Sequence, residues 1–173
     1  MIAEKEPISN NEQTLIRMVE QYQLQLLKIC RMYLPDSTSA EDAVQETFVK
    51  AYKALPAFRG ECSEKTWLMR IALNTCRDMT RTGWFKHIDK RIVPEDLTDL
   101  TAPEESEISD LAVGIASLPR KLKDAVLLYY YQNMTVEEVA QTLDTSPATV
   151  SRRLNAARNK LRDLLEGGHV YEG

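Results

Sequence analysis

Histidine is nearly absent from this 173-residue chain, occurring only at His87 and His169. Cysteine is scarce as well: Cys30, Cys62 and Cys76 are scattered without a CxxC pair. So few soft donors at such spacings exclude a zinc knuckle, and an odd, scattered set does not read as a disulfide framework. The thiols fit reduced cysteines in a cytoplasmic protein, and no metal or other cofactor is expected. Long hydrophobic runs are missing too. The longest, Ala125 to Tyr131, falls far short of the ~20 residues a membrane span needs. The N-terminal MIAEKEPISNNEQ lacks the apolar core of a secretory signal. With no Gly-rich phosphate loop and no plausible base–nucleophile pair, a hydrolytic or redox enzyme finds no support.

Excess positive charge is also lacking. Lys and Arg total 22 against 26 Asp and Glu, a net charge of −4 with a pI near 5.3. Taken whole, that balance argues against a nucleic-acid partner. The distribution says otherwise. Seven acids (Glu95, Asp96, Asp99, Glu104, Glu105, Glu107, Asp110) lie between Pro94 and Asp110 with no Lys or Arg among them. Without those seven, 19 acids face 22 bases. Screening over ~8–10 Å lets each surface act through its own charges.

What is present is helical periodicity. Leu15, Met18, Val19, Tyr22, Leu26, Ile29, Cys30 and Tyr33 mark an amphipathic helix that stops at Leu34-Pro35. Ser39, with Asp42 in the capping-box position, is expected to cap a second helix that buries Val44, Phe48, Ala51 and Leu55 and ends before Pro56. After the loop Phe58-Arg59-Gly60-Glu61-Cys62, Ser63 caps a third helix from about Lys65 to Arg81. A further helical block runs from near Ile108 to Leu165, closed by Gly167-Gly168. The expected fold is all-α, with two small helical domains (11–83 and 108–168) joined by a flexible acidic linker (84–107) and short tails at 1–10 and 169–173.

Within the second block, Thr135 and Glu138 form a capping box, and Asp144-Thr145-Ser146 is a short turn. Ser146-Pro147 then opens a helix with a cap residue and proline at the first position. Val150, Leu154, Ala157, Leu161 and Leu164 are its expected buried stripe. At ~100° per residue the opposite face carries Ala148, Ser151, Arg152, Asn155, Asn159 and Arg162. Between Thr145 and Arg162 five bases meet no acid. A short helix, a turn and a helix with a basic-polar outer face is a helix-turn-helix suited to the major groove. Arg there can pair with guanine and Asn with adenine, while flanking cations hold phosphates. Arg153, at the edge of the stripe, fits either a packed stem or a phosphate contact.

The third helix places Trp67, Arg70, Asn74, Arg77 and Arg81 on one side. An aromatic beside cations and an amide suits single-stranded nucleic acid, although a core Trp67 with solvated arginines fits equally well. On the second helix Asp42, Gln45, Glu46, Val49 and Lys53 line the outer face. An exposed valine among acids and amides suggests a partner with a basic, partly apolar surface.

Three segments in order, AEDAVQETFVKAYKAL (40–55), FRGECSEKTWLMRIALNTCRDMTR (58–81) and LPRKLKDAVLLYYYQNMTVEEVAQTLDTSPATVSRRLNAARNKLRDLL (118–165), resemble the extracytoplasmic-function sigma factors, two-domain bacterial initiation factors of RNA polymerase. The resemblance implies that Asp42, Gln45, Glu46 and Val49 meet the clamp helices of the largest subunit of core RNA polymerase. It implies that Gly60, Glu61, Cys62, Ser63 and Lys65 form a pocket for a base flipped from the melted −10 strand, supported by Trp67, Asn74 and Arg77. Thr149, Ser151, Arg152 and Asn155 would read the duplex −35 element, with Arg158 and Lys160 on phosphates. The linker would thread the RNA-exit region, and an anti-sigma factor, often membrane-anchored, would hold the protein inactive until an envelope or extracellular stress. Glu64-Lys65 stand where relatives often carry an aromatic, Met69 where tyrosine is frequent and Ala148 where glycine is common. The competing reading is a conventional helix-turn-helix repressor or activator that binds duplex DNA unaided.

Overall fold

The computed structural model describes residues 9–82 and 105–167. The expected linker (84–107) lies outside these residues except for 105–107, which form the start of a helix, and the C-terminal tail (169–173) and all but the end of the N-terminal tail (1–10) lie outside them as well. The described residues are helical, with no strand among them.

Helix α1 (Asn10–Tyr33) begins before the apolar period because Ser9 and Glu12 form a capping box. The Ser9 hydroxyl accepts from the Glu12 N–H at 3.2 Å, and the Glu12 carboxylate accepts from the Ser9 N–H at 3.0 Å. Pro35 forces extended backbone on Leu34 and ends the helix. The start of α2 (Ser37–Ala54) corrects the sequence expectation. Its cap is Asp36, not Ser39, and Asp42 takes no part in capping. Asp36 leaves Pro35 extended (φ −140°, ψ 158°), and its carboxylate accepts from the Ser39 N–H at 2.7 Å and the Ser39 hydroxyl at 3.0 Å. Ser39 is thereby buried in the first turn.

A 3-10 turn (Leu55–Ala57) leads into the loop before α3 (Glu64–Arg81). Gly60 lies there at φ +73°, and a Cβ would meet no atom within 4 Å, so glycine serves conformation rather than space. Ser63 caps α3 as expected, accepting from the Thr66 N–H at 3.1 Å. Met18, Leu26 and Ile29 from α1, Val44, Phe48 and Ala51 from α2, and Leu68, Met69 and Leu73 from α3 fill the core between these helices. Each large side chain contributes about 1.5–3 kcal/mol of transfer free energy.

The second bundle comprises α4 (Glu105–Ser117), α5 (Arg120–Val126), a π-helical turn (Leu127–Tyr131), α6 (Val136–Leu143) and α7 (Pro147–Gly167). The π turn carries the Gln132 N–H to the Leu127 carbonyl at 3.2 Å and turns the chain toward α6. Ile115, Val126, Leu127, Leu128, Val139, Val150, Leu154 and Ala157 are buried together. The expected stripe on α7 does not extend to its end: Leu161 is half-buried and Leu164 is 54% exposed. At 1.5 Å per residue α7 is about 31 Å long and α6 about 12 Å, so the last turns of α7 outrun the bundle.

Candidate nucleic-acid interface

The turn between α6 and α7 is set by Asp144, which adopts the left-handed conformation (φ 53°, ψ 53°) that Asp tolerates better than most residues. The Thr145 N–H then closes on the Ala140 carbonyl at 2.9 Å. Thr135 and Glu138 box the start of α6, and the Ser146 hydroxyl accepts from the Thr149 N–H at 3.2 Å to start α7. These caps fix the angle at which the outer face of α7 leaves the domain.

Ser151, Arg152, Asn155, Arg158 and Lys160 are exposed along that face. Thr149 is half-buried, and its hydroxyl accepts from Arg152 Nη2 at 3.0 Å. Arg158 donates from Nε to the Tyr130 hydroxyl at 2.7 Å and from Nη1 to Asn155 Oδ1 at 2.9 Å. Its guanidinium carbon lies 5.7 Å from the Tyr130 ring centroid. These partners are neutral, so the positive charge of the face is left for an outside ligand. Tyr130, unnoticed in the sequence, orients Arg158. Arg153 is half-buried, as its place at the edge of the stripe requires.

On α2, Asp42, Gln45 and Glu46 are exposed, and Val49 is 46% exposed. The exposed Tyr52 extends this mixed acidic and apolar strip.

Around α3 the arrangement is more enclosed. Gly60, Glu61 and Ser63 are exposed and Cys62 is half-buried. A cavity of ≈ 460 Å³ is lined by Phe58, Arg59, Glu61, Cys62, Trp67 and Arg70, with Gln141 and Asp144 across from them. Trp67 is half-buried and stacks on Phe58, so it is neither a core tryptophan nor a bare platform. Lys65 and the outer face of α3 turn toward the second bundle. Lys65 Nζ donates to the Gln132 carbonyl at 2.7 Å, and Arg70 donates to the Gln141 carbonyl. Arg77 Nη2 donates to Asp124 Oδ2 at 2.9 Å and Nη1 to Asn74 Oδ1 at 3.3 Å. Arg81 is diverted to Asp78 at 3.0 Å. Asn74 itself is exposed and lines a neighbouring cavity of ≈ 440 Å³ with Arg70, Arg77 and Asp144.

Asp124 is 2% exposed, and its second oxygen accepts from the Tyr33 hydroxyl. Burial, then the Asp124 carboxylate, push the Tyr33 phenol well above its ordinary range. Burial lowers the Lys123 ammonium, which lies 4.9 Å from the Tyr33 ring centroid. All three cysteines are free thiols. A hydrogen bond with Cys76, then burial, raise Cys30 and hold it protonated.

Comparison with known proteins decides what carries these faces. Residues 18–85 match the family described as Sigma-70 region 2, and residues 110–161 match Sigma-70, region 4. The ECF RNA polymerase sigma-E factor of Salmonella typhimurium is 32% identical over 167 residues, covering 86% of either chain. The chain belongs to the extracytoplasmic-function (ECF) sigma factors. It is thus an alternative sigma factor, a transcription initiation factor. The RNA polymerase sigma-H factor of Pseudomonas aeruginosa is 29% identical over 163 residues, 86% of this sigma factor and 84% of that one. Among solved structures, CnrH in complex with the cytosolic domain of CnrY superposes with a TM-score of 0.69 at 26% identity over 92% of both chains. The sigma factor RpoE of Bartonella quintana, solved with the anti-sigma factor NepR, shares the fold with a TM-score of 0.62 at 23% identity, over 87% of this sigma factor and 98% of RpoE.

Proposed function

We propose that this ECF sigma factor docks on core RNA polymerase through the outer face of α2, reads the −35 duplex with α7 and holds the melted −10 strand with α3 and the loop before it. The observation that carries the reading is the arc of Ser151, Arg152 and Asn155 on α7, flanked by Arg158 and Lys160, whose charged members bond only neutral groups where a bond is formed. Arg and Asn on such an arc offer bidentate pairing to guanine and adenine. The exposed Asp42, Gln45, Glu46 and Val49 supply an acidic, partly apolar strip for the clamp helices of the largest subunit. For the strand, Glu61 and Cys62 of the loop before α3 line a cavity walled by Trp67, while Gly60, Ser63 and Lys65 do not line it, and Asn74 and Arg77 lie further along α3.

The domain limits that go with this reading are 11–83 and 108–168, with 84–107 as the linker through the polymerase. The protein acts without catalysis or cofactor, in the cytoplasm; no helix among the described residues is long and apolar enough to cross a membrane. Regulation belongs to an anti-sigma factor, a membrane-anchored one suiting a response to envelope stress. Run-off transcription with purified core polymerase tests the assignment. A promoter-dependent transcript that requires this chain is the expected result, and none from any candidate promoter sinks it. Tight duplex binding by the isolated chain would instead favour a conventional regulator.

A further inference from the structure

Two of the three free thiols meet inside the N-terminal bundle. Cys30 of α1 is fully buried, Cys76 of α3 is 2% exposed, and a hydrogen bond joins the two side chains across the α1–α3 interface. Ile29 and Met32 on the first helix and Ala72 and Leu73 on the second are buried alongside them. A buried cysteine on its own acts as a small hydrophobe. A touching pair has a second chemistry, because one sulfur can trap the other once that other is oxidised. Cys62 lacks this chance: it precedes the Ser63 cap, and at 1.5 Å per residue Cys76 lies about 20 Å further along α3.

Cys76 also lies toward the second bundle. Tyr33 of α1 and Lys123 of α5 are both close enough to feel its charge. A cation in that place steadies a thiolate as it attacks an oxidant. Hydrogen peroxide, scarcely larger than water, reaches the pair through local opening of the bundle. The Cys76 sulfur takes one oxygen as the O–O bond breaks, and the departing hydroxide leaves as water with the Cys76 proton. The Cys30 sulfur then attacks the Cys76 sulfenic acid, the S–O bond breaks, and hydroxide leaves with the Cys30 proton as a second water. Two thiols are oxidised to one disulfide, and one peroxide is reduced to two waters.

We propose that Cys30 and Cys76 form a peroxide-responsive dithiol whose disulfide ties α1 to α3 and lowers promoter opening. Disulfides in a reducing compartment are typically transient and redox-sensing. Bonded sulfurs stand ~2.05 Å apart, well inside the separation of two thiols in hydrogen-bond contact, so closure draws α3 toward α1. A close-packed core passes that displacement on. Asn74 and Arg77 lie to either side of Cys76 on α3 and move with it. The bond forms whether or not α3 meets DNA, and its effect on opening rests on the strand-reading role proposed for that helix.

The test exposes full-length protein to hydrogen peroxide, removes the peroxide with catalase and then adds untreated core polymerase. Peptide mapping without reductant should find Cys30 joined to Cys76, and dithiothreitol should release them. The oxidised holoenzyme should lose permanganate reactivity of −10 thymines, and dithiothreitol should restore it. Cys30→Ala should keep its opening before oxidation and lose the reversible response; Cys76→Ala serves the same purpose should Cys30→Ala lose helicity. Cys30 and Cys76 still free after peroxide, or joined only to Cys62 or to a second copy, overturn the dithiol. A disulfide without loss of opening, or a loss that persists in Cys30→Ala, overturns the regulatory effect alone. Crosslinking of the −10 strand in the reduced holoenzyme to residues away from α3 removes the strand-reading role instead, and leaves the disulfide standing.

Discussion

Phe58 and Trp67 stack nearly face to face, with ring centroids 4.5 Å apart and planes inclined by 21°. The pair ties the loop before α3 to its first turns and forms one wall of the ≈ 460 Å³ cavity. Such pairs contribute about 0.5–1.5 kcal/mol beyond the area they bury. Phe58→Ala should lower stability by about that much or somewhat more, read from urea midpoints. It should also reduce promoter opening, read from permanganate reactivity of −10 thymines, while −35 binding by the holoenzyme is kept. Equal loss at both elements would show that the stack supports the whole fold rather than the pocket.

On α7, Arg152 and Arg158 should behave differently although both are exposed arginines. Arg152 lies in the centre of the polar arc. Arg152→Ala should cost about 1–3 kcal/mol at one −35 base pair and relax the preference there. Arg158 is held at the edge by Tyr130, so Arg158→Ala should weaken all −35 sequences alike and lower the salt dependence of binding. Competition of holoenzyme for promoter variants separates the two patterns.

The α7 face was legible from sequence because two caps and a sustained helical period fix its phase, and the face follows from phase alone. The start of α1 was hidden because the Ser9–Glu12 box opens a polar turn that carries no apolar period. At α2 two cap signals, Asp36 and Ser39, lie three residues apart, and the one that caps is Asp36, whose backbone is extended and whose carboxylate takes the Ser39 N–H. Leu164 keeps the period after the bundle has ended, so pattern and burial part company there. The pairing of Asp124 with Tyr33 and Arg77 had no local sign, since these partners are 91 and 47 residues away in sequence. An acid beside the apolar run 125–131 marked the position but not its partners.

Arg17 and Glu64 join α1 to the first turn of α3 through two hydrogen bonds, at 2.9 and 2.5 Å. The Arg17 hydrogen bond holds the Glu64 carboxyl below its ordinary range. A carboxylate with a lowered pKa stabilises the fold above its unfolded value, and that contribution disappears as pH falls through the folded value. Glu64→Gln should therefore destabilise at neutral pH and lose its effect in acid below the ordinary Glu range. Half of the Arg17 side chain is exposed, so the neutral-pH difference should stay below about 1 kcal/mol. Urea midpoints of both proteins across pH 3–7 check sign and window; a gap that widens in acid would contradict it.

Glu46 is exposed on α2, with Val49 beside it on the same strip. It bears no part of the fold, so Glu46→Lys should leave the thermal midpoint within a degree or two of wild type, as surface substitutions do. Reversing a charge at an interface of complementary sign should cost affinity for core polymerase through faster dissociation and slower capture. Fluorescence titration of labelled protein with core should show about a tenfold or greater loss, roughly 1.4 kcal/mol or more. Unchanged affinity would take this strip out of the polymerase interface.

The two candidate caps of α2 give opposite expectations for a pair of substitutions. The Asp36 carboxylate accepts both the Ser39 N–H and the Ser39 hydroxyl, so Asp36→Ala leaves an orphan donor at the first turn and a buried hydroxyl without its acceptor. Loss of such a cap costs about 0.5–2 kcal/mol. In Ser39→Ala the N–H still bonds to Asp36, and only the hydroxyl's bond at 3.0 Å is removed together with the hydroxyl itself. A donor deleted with its own polar group leaves no buried debt on its side, and Asp36 is exposed enough for water to take its place. Urea denaturation should therefore rank Asp36→Ala as the more damaging of the two, and the reverse order would restore Ser39 as the cap.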